Sequence, residues 1–524
     1  MATRSARSTK APLTPTPFDA ASYLEANAAR APDGIALWQD GVETSFAQLR
    51  DLVWRLIIEL RRRELSDGKV VAVALPNVTA YVALEIAVPA TGATLFPLPM
   101  GIGTRELHLV LQRSGAVLLI TDESTQGDGV AQAAANLTAQ LSVVRVDELL
   151  SAAGQGPAPQ PPATAPADPD RIVQIALTSG TTGLPKLASL SARLKQLTSE
   201  GFTSRLRITA QDRMLPMSPI TQGVGEMCLY AQRCGAALVM LGAGRFDPET
   251  VLATVQAGRV TILGGVPTMI GRILHSPAMA ANALPDLRLT VSAGAPLAPA
   301  LAREWEQRTG SAIGSFYGAM DIGQLAVPDP EDPAEKRWTT VGRPHTAAEW
   351  RICGPDGQEL DVGEEGEICM RGPLVQDRYW GEDTSPYSRD GWAHFGDLGF
   401  VDSEGYVHVT GRVKDTIIRG GNNVNPLEVE ELLREHAHIR DVCIAGRPDP
   451  DLGERAVAFV VAAPDAPLTL DDLTAFLRQR GLSRYKWPEA LVAVDMLPTG
   501  ATGKVDRSAL RRQAAQQQPE EKSA

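Results

Sequence analysis

The strongest constraint on this chain is a rhythm. Short, almost uninterrupted apolar runs such as Lys69 to Leu75, Gly115 to Thr121 and Val260 to Val266 alternate with helix-period stretches such as Ala80 to Val88 and Ala298 to Arg308. A strand-length run with no polar face must be covered on both sides, and the intervening helices supply that cover. The pattern predicts an α/β fold with parallel sheets. Val70 to Met100 reads as buried strand, helix, strand, because Pro76, Asn77, Glu85, Pro89, Pro97 and Pro99 interrupt it well short of a membrane span. The 524 residues, 44% hydrophobic and 21% charged, have the composition of packed soluble domains. At roughly 150 residues each, about three or four are expected.

Charge narrows the partners. Lys plus Arg number 50 against 62 Asp plus Glu, a net of −12, and no basic block is long enough to track a phosphate backbone, so nucleic acid is not an expected partner. Arg61, Arg62 and Arg63 fall in a helical pattern from Leu56 to Leu65 and read as a solvated face. The five cysteines, Cys228, Cys234, Cys353, Cys369 and Cys443, are scattered and never spaced C-x-x-C. This disfavours disulfides and a Cys-based zinc site, and predicts a reducing, cytoplasmic setting.

Composition also marks boundaries. Residues Met1 to Pro17 lack the apolar core of a secretory signal, so 1–18 is expected to be a disordered N-terminus. Pro, Ala and Gly crowd 151–170, where both periodicities vanish, which predicts a loop or linker. A second boundary falls near Gly411. Beyond it come a strand, a Gly420-Gly421 turn, and a helix with Asn425 as cap, Pro426 at the first position and Glu428 completing a capping box. A strand at Ala456 to Ala462, a helix at Leu470 to Gly481 and a strand near Leu491 to Val494 complete a small α+β domain. The Gln-rich, charged stretch 513–524 is expected to be a disordered tail.

The most informative segment is Thr178-Ser179-Gly180-Thr181-Thr182-Gly183-Leu184-Pro185-Lys186, directly after an alternating strand from Arg171 to Leu177. Hydroxyls, glycines and one lysine at a strand's end can wrap a polyphosphate with backbone N–H groups, side-chain donors and a cation. It is not a Walker A loop, since G-K-[ST] is absent. By composition alone the same run also reads as a surface turn.

The segment resembles the phosphate loop of the adenylate-forming superfamily, which includes acyl-CoA synthetases and peptide-synthetase adenylation domains. The similarity continues in order through Ser292-Ala293-Gly294-Ala295-Pro296, Tyr317-Gly318-Ala319-Met320-Asp321, Phe395-Gly396-Asp397, Gly411-Arg412-Val413-Lys414-Asp415, Gly420-Gly421, and Pro498 to Lys504. The resemblance implies a large domain, 19–411, of two α/β subdomains plus a small β-barrel. A hinge at 412–415 and a small mobile α+β domain at 416–512 would follow.

It also implies roles. Thr178, Ser179, Gly180, Thr181, Thr182, Gly183 and Lys186 would hold ATP phosphates and the departing pyrophosphate. Gly294, Ala295 and Pro296 would lie against adenine, with Tyr317, Gly318, Ala319 and Met320 completing the nucleotide wall and Tyr317 offering a flat face. Asp321 stands where relatives carry a Mg²⁺-associated Glu. Met320 replaces a common Thr and cannot donate to a phosphate oxygen. Asp397 would accept from the ribose diol, and Arg412 would read ribose or phosphate. Lys504, in a Gly-bounded loop, would be the catalytic lysine, touching the carboxylate and the α-phosphate with Lys186 as its catalytic partner on the phosphates. Lys414 takes the hinge position, and Gly420-Gly421 the place where a pantetheine arm passes.

The acid pocket departs from the aryl-acid relatives that Lys186-Leu187 and Tyr485 to Pro488 resemble. Ser218, Ile220, Thr221 and Gly225 are its expected wall, with Gln222 and Glu226 as further polar candidates and with Gly223 and Gly225 leaving room for a ring. Pro219 and Ile220 occupy the positions of a usual His-Asn pair, and Ala192 that of another His. Other chemistries lack support: Glu435-His436-Ala437-His438 is not an i, i+4 zinc pair, Gly101-Ile102-Gly103 and Gly242-Ala243-Gly244 are incomplete dinucleotide fingerprints, and no G-x-S-x-G elbow occurs.

The expectation is an ATP- and Mg²⁺-dependent carboxylic acid ligase. It would form an acyl- or aryl-adenylate with release of pyrophosphate, then transfer the acyl group to a thiol, either CoA or a carrier protein's phosphopantetheine. No membrane partner is expected. One alternative keeps adenylation but transfers to nitrogen, or activates nitrite for diazotisation of an arylamine. Another is a nucleotide-binding homologue without catalysis.

Overall fold

The computed structural model describes residues 19–516 except 123–140, 156–159, 179–185, 222, 243–245, 280–283, 320–322, 377, 384, 389, 464–465 and 500–504. Two sheets organise the large N-terminal part. A six-stranded sheet runs in the order Ser142–Arg145, Ala116–Thr121, Val70–Ala74, Thr94–Pro97, Ile172–Thr178 and Lys186–Ser191. It is parallel up to its last two strands, which form an antiparallel hairpin. A seven-stranded sheet runs Ala312–Ser315, Leu289–Ser292, Ile262–Gly265, Arg213–Pro216, Ala237–Met240, Ile35–Gln39 and Val42–Ser45, again parallel except for its final pair.

Burial on both faces explains the continuous apolar runs. Val70, Ala72 and Ala74 face one cluster with Phe96 and Leu119, while Val71 and Val73 face another that includes Leu37, Leu238 and Val291 of the second sheet. Helices Phe46–Arg62 and Thr79–Thr91 lie in that shared core and join the sheets into layers. The first has a complete start signal: Gln48 N donates to Ser45 Oγ at 3.2 Å, and Ser45 N to Gln48 Oε1 at 2.8 Å. Its buried face of Phe46, Leu49, Val53, Leu56, Ile57 and Leu60 follows helical spacing. Each such side chain contributes roughly 1.5–3 kcal/mol on burial. Among the described residues no helix is long and apolar enough to cross a membrane. All five cysteines are free thiols.

The third unit of the large part is all β. Tyr317–Ala319, Gly323–Val327 and Arg343–Pro344 form a three-stranded sheet, and Glu349–Cys353, Gly366–Arg371, Ala393–Val401 and Val407–Arg412 a four-stranded antiparallel one. Val341 N donates to Val407 O at 3.0 Å and Val407 N to Gly342 O at 2.9 Å, stitching the two together. Ala326, Ile352, Ile368 and Val407 fill a common interior, so the unit is barrel-like.

A small domain follows. Its sheet of Asn422–Val424, Ile417–Arg419, Gly453–Ala462, Ile439–Asp449 and Ala490–Ala493 is covered by helices Pro426–Arg434, Leu470–Gln479 and Arg507–Gln516. Three local expectations need correction. The capping box of the first helix does not form. Asn425 caps Leu427 N at 3.1 Å, but Glu428 is drawn to Lys486 Nζ, 2.7 Å from both carboxylate oxygens. The last helix runs to Gln516, past the expected boundary at 512, because Leu510 and Ala514, one turn apart, are both fully buried in the small domain's core. The start of the expected 151–170 loop is helical, since Val146–Ala153 buries Leu149 against the large core.

Candidate active site

Four parallel strands of the seven-stranded sheet end side by side, and the turns after them carry most of the expected contacts. Register pairs Ser315 with Ser292 and Ser292 with Gly265, while Gly264 pairs with Pro216. Crevices outside the carboxyl ends of parallel strands are the usual place for ligands in such sheets. After Ser292 the chain turns through Gly294, at φ 85°, a left-handed conformation that suits glycine. Gly294 and Pro296 are exposed and Ala295 half-buried, so the turn presents backbone to its surroundings. The buried Ser292 hydroxyl has no hydrogen-bond partner among the described residues.

Directly beyond Phe316, Tyr317 enters the β unit, with Gly318 and Ala319 exposed beside it. Its hydroxyl donates to Asp397 Oδ2 at 2.5 Å. Asp397 is buried and stands opposite Arg412 in register, with the Arg412 Nε 2.9 Å from Asp397 Oδ1. Two residues read from separate motifs, 80 positions apart, are thus in direct contact, and a third joins them. Each carboxylate oxygen keeps a lone pair for a further donor. The guanidinium is half exposed, so this pair leaves a charged group open to a ligand.

Thr178 and Lys186 are register partners at the end of the hairpin Ile172–Thr178 and Lys186–Ser191 where residues 179–185 connect its strands. Residues 179–185, with Ser179, Gly180, Thr181, Thr182 and Gly183, lie outside the described residues. Lys186 Nζ lies 4.5 Å from the Tyr379 ring centroid, a cation–π contact that steadies the ammonium. Trp380 N donates to Leu187 O at 2.7 Å, and Ser189 N to Gln376 Oε1 at 2.7 Å, so Gln376 and Trp380 flank the hairpin.

The expected acid wall is organised by a residue that the sequence marked only as an interruption. Asn77 Oδ1 accepts from Ile220 N at 2.9 Å, and its Nδ2 donates to Ser218 O at 3.2 Å. It follows the strand Val70–Ala74 of the six-stranded sheet and so ties the two halves together at the segment Ser218 to Ile220. Ser218 is buried, its hydroxyl 3.8 Å from Met269 Sδ. Two expectations fail here. Ile220 is fully buried in the large core. Gly225 leaves no room for a ring, because a Cβ there would lie 2.1 Å from Pro219 O; its glycine permits the helix Gly223–Leu229 to lie on the preceding backbone. Thr221 is buried, and its hydroxyl has no partner among the described residues.

Beneath this wall lies a buried polar cluster of which the sequence marked only Glu226 as a polar candidate, since its members are dispersed. Lys195 Nζ lies 3.0 Å from Glu85 Oε1 and 3.4 Å from Glu226 Oε1, and also donates to Gln174. Gln174 Nε2 donates to Glu226 Oε1 at 3.0 Å, and Glu226 Oε2 has no partner among the described residues. Burial pushes the Glu226 carboxyl above its ordinary range, with Lys195 working against it. Burial alone would lower the ammonium of Lys195, but Glu85, Tyr230 and Glu226 outweigh it and hold the group above its ordinary value.

In the small domain Gly420 and Gly421, at φ 55° and 82°, form the two-residue turn between Ile417–Arg419 and Asn422–Val424. Two successive positive φ values are the requirement of a type I′ hairpin. Lys414 is exposed in the turn Val413–Asp415, and its carbonyl accepts from Arg511 Nη1 at 2.9 Å. Lys504, Met320 and Asp321 lie outside the described residues. The stem of the Lys504 loop is well held. Thr499 bridges Val505, and Arg507 Nη2 reaches the fully buried Glu430 at 2.7 Å.

The family model described as AMP-binding enzyme matches residues 24–380, and that of the AMP-binding enzyme C-terminal domain matches 428–504. The chain belongs to the AMP-binding enzymes. It is an adenylate-forming ligase by that membership, and its known relatives agree. A feruloyl-CoA synthase of Amycolatopsis sp is 34% identical over 497 residues, covering 94% of this chain and 98% of that protein. The ATP-bound structure of MatB from Rhodopseudomonas palustris is similar at 30% identity and TM-score 0.85, over 94% of this chain and 98% of that one. The o-succinylbenzoate CoA synthetase of Bacillus subtilis, in complex with its acyl-adenylate intermediate, is similar at 27% identity and TM-score 0.81, over 94% and 98%. Transfer to nitrogen or activation of nitrite is not favoured by these likenesses.

Proposed function

We propose that this enzyme couples ATP to the formation of a CoA thioester from an apolar, ring-bearing carboxylic acid. The carboxylate attacks the α-phosphorus, pyrophosphate leaves, and the CoA thiol then displaces AMP from the acyl carbon. The observation that carries the reading is the meeting of Tyr317, Asp397 and Arg412 beside the strand-end turn at Gly294. In this role Asp397 accepts from the ribose hydroxyls, held in place by Tyr317 and Arg412, while Gly294, Ala295 and Pro296 let adenine approach backbone closely. Thr178, Lys186 and the residues between them neutralise the phosphates before bond formation, the cost that otherwise dominates attack of one anion on another. Lys504 meets the charge that develops on the α-phosphate. Asp321 fits an oxygen-preferring cation by donor chemistry, and Mg²⁺ held there with the phosphates would supply charge neutralisation.

The residues expected at the acid support that class. Met217 and Met269 are apolar, the buried Ser218 hydroxyl lies 3.8 Å from Met269 Sδ, and the buried Thr221 hydroxyl belongs to the same segment. A second carboxylate on the substrate would need a cation, and the nearby Lys195 is already engaged by Glu85 and Glu226. The likeness to a feruloyl-CoA synthase supports the same reading. Lys414 and the Gly420-Gly421 turn serve the second half-reaction, as hinge and as the place where the pantetheine arm passes. The small domain moves about 412–415 between the two steps.

The test is pyrophosphate release over benzoates, cinnamates, short fatty acids, dicarboxylates and nitrite, with and without CoA, with thioester detected by mass spectrometry. Release with cinnamates or benzoates and a matching CoA thioester is expected. Release only with nitrite plus an arylamine, or only with a dicarboxylate, would overturn the proposal.

A further inference from the structure

The β unit brings metal-ligating side chains together from three distant stretches. Along the antiparallel strands Glu349–Cys353, Gly366–Arg371 and Ala393–Val401, Arg351 stands opposite Cys369, Cys353 opposite Glu367, and Cys369 opposite His394. Register therefore sets Glu367, Cys369 and His394 on one face, although no short sequence spacing links them. Ligand atoms of these three residues all lie within 4.8 Å of one another. His394 Nδ1 is 3.4 Å from Cys369 Sγ and 2.9 Å from Glu367 Oε2. Donors on a tetrahedral zinc ion at about 2.0–2.3 Å stand roughly 3.2–3.8 Å apart, so adjustments of side-chain size bring all three onto one ion.

The surroundings point the same way. The other ring nitrogen, His394 Nε2, faces Asp390 Oδ2 at 3.6 Å, and Asp390 is itself held by Arg351. A metal-binding imidazole commonly gives its second nitrogen to a carboxylate, which fixes the tautomer and strengthens the donor. The thiol is buried, whereas the Glu367 and His394 side chains are 25% and 28% exposed, so the soft donor is sheltered while an ion has a way in. Cys353 neighbours the Cys369 thiol, and water would take the fourth position. Sulfur and imidazole nitrogen favour zinc over the hard, oxygen-seeking cations.

We propose that Glu367, Cys369 and His394 form a Zn²⁺ site, separate from any Mg²⁺ that accompanies ATP. Glu367 Oε1 also accepts from Gly396 N at 2.9 Å, which puts the site one peptide from Asp397. The full chain, stripped with a chelator and dialysed, is titrated with Zn²⁺ against a chromophoric chelator and separately with Co²⁺ while near-ultraviolet absorbance is followed. One equivalent of Zn²⁺ and a thiolate-to-cobalt charge-transfer band are expected. Cys369→Ser removes the band, His394→Gln and Glu367→Gln each weaken Zn²⁺ binding, and Asp390→Asn weakens it roughly 10–100-fold. Melting curves of the metal-free variants establish that they fold. No stoichiometric Zn²⁺ in the parent, a band that survives Cys369→Ser, or equal affinity in the parent, His394→Gln and Glu367→Gln overturns the site.

Discussion

Replacing Lys195 by Met asks whether one buried ammonium locks the two α/β halves together. Lys195 is only 2% exposed, and its partners come from both halves: Glu85 on the helix Thr79–Thr91, Gln174 on the six-stranded sheet, and Glu226 on the helix that follows the strand Arg213–Pro216 of the other sheet. Met keeps most of the stem's volume, so the change isolates the charge. Removing one partner of a buried ion pair costs about 3–5 kcal/mol, because the carboxylates that remain are uncompensated. At about 2 °C per kcal/mol for a large domain, the melting transition of the N-terminal part falls by about 6–10 °C.

The companion variant Glu226→Gln gives the reasoning a second handle. Burial disfavours the charged Glu226 carboxylate and Lys195→Met removes the cation that offsets it, so in that background the added Glu226→Gln should recover part of the loss at neutral pH. Burial raises the folded carboxyl, so the folded chain keeps this proton where the unfolded chain has released it. Stability from that group is complete below the ordinary carboxylate value and is lost as pH rises through the raised one. The advantage of the double variant over Lys195→Met therefore shrinks as pH is lowered toward the ordinary carboxylate range. Near-ultraviolet circular dichroism melts across that pH series provide the measurement. A Lys195→Met melt within about 2 °C of the parent, or a double variant no better than the single one at neutral pH, refutes the argument.

Asp397→Ala removes a charged acceptor worth about 1.5–3 kcal/mol and should weaken ATP binding roughly 10–150-fold by calorimetry; unchanged affinity would remove it from the site. Tyr317→Phe loses the hydroxyl bond that holds Asp397, about 1 kcal/mol, and should raise the ATP dissociation constant several-fold without affecting the fold. Lys504→Ala should slow adenylation roughly 100–1,000-fold while thioester formation from supplied adenylate stays largely intact, and equal loss of both half-reactions contradicts its role. Arg507→Met leaves the fully buried Glu430 one cation short, so limited proteolysis should nick the small domain sooner, at a stability cost of about 3–5 kcal/mol.

How much of this was legible in the sequence depended on distance along the chain. The strands were readable because burial on both faces imprints itself locally, as in Val70 to Ala74. Glu428 misled because its fate is set by Lys486, 58 residues away, which no capping rule can see. Ala514 misled in the other direction: a Gln-rich context reads as solvated, yet one small side chain a turn beyond Leu510 is enough to seat the helix. Gly225 was read as empty space, when its missing Cβ is what lets two backbone segments touch.

The same contrast separates the nucleotide residues from the acid wall. Contacts expected to the nucleotide come from turns at strand ends, where a few consecutive residues such as Gly294-Ala295-Pro296 must meet a conformational demand, and such demands are written in short motifs. The segment expected to wall the acid is positioned instead by packing and hydrogen bonds between Asn77, Ser218 to Thr221 and the helix at Gly225, contributed by both sheets. Its shape depends on which volumes meet, and no local pattern encodes that. The cluster of Glu367, Cys369 and His394 extends the point, since strand register assembles it and scattered cysteines gave no spacing to notice. Specificity in this enzyme should therefore respond to substitutions at the junction of the halves, Asn77 above all, whereas ATP affinity should respond to the strand-end turns. Asn77→Ala frees the Ile220 amide and the Ser218 carbonyl, so it should alter the relative kcat/KM among aromatic acids while leaving the dissociation constant for ATP near that of the parent; a change confined to ATP would place the division elsewhere.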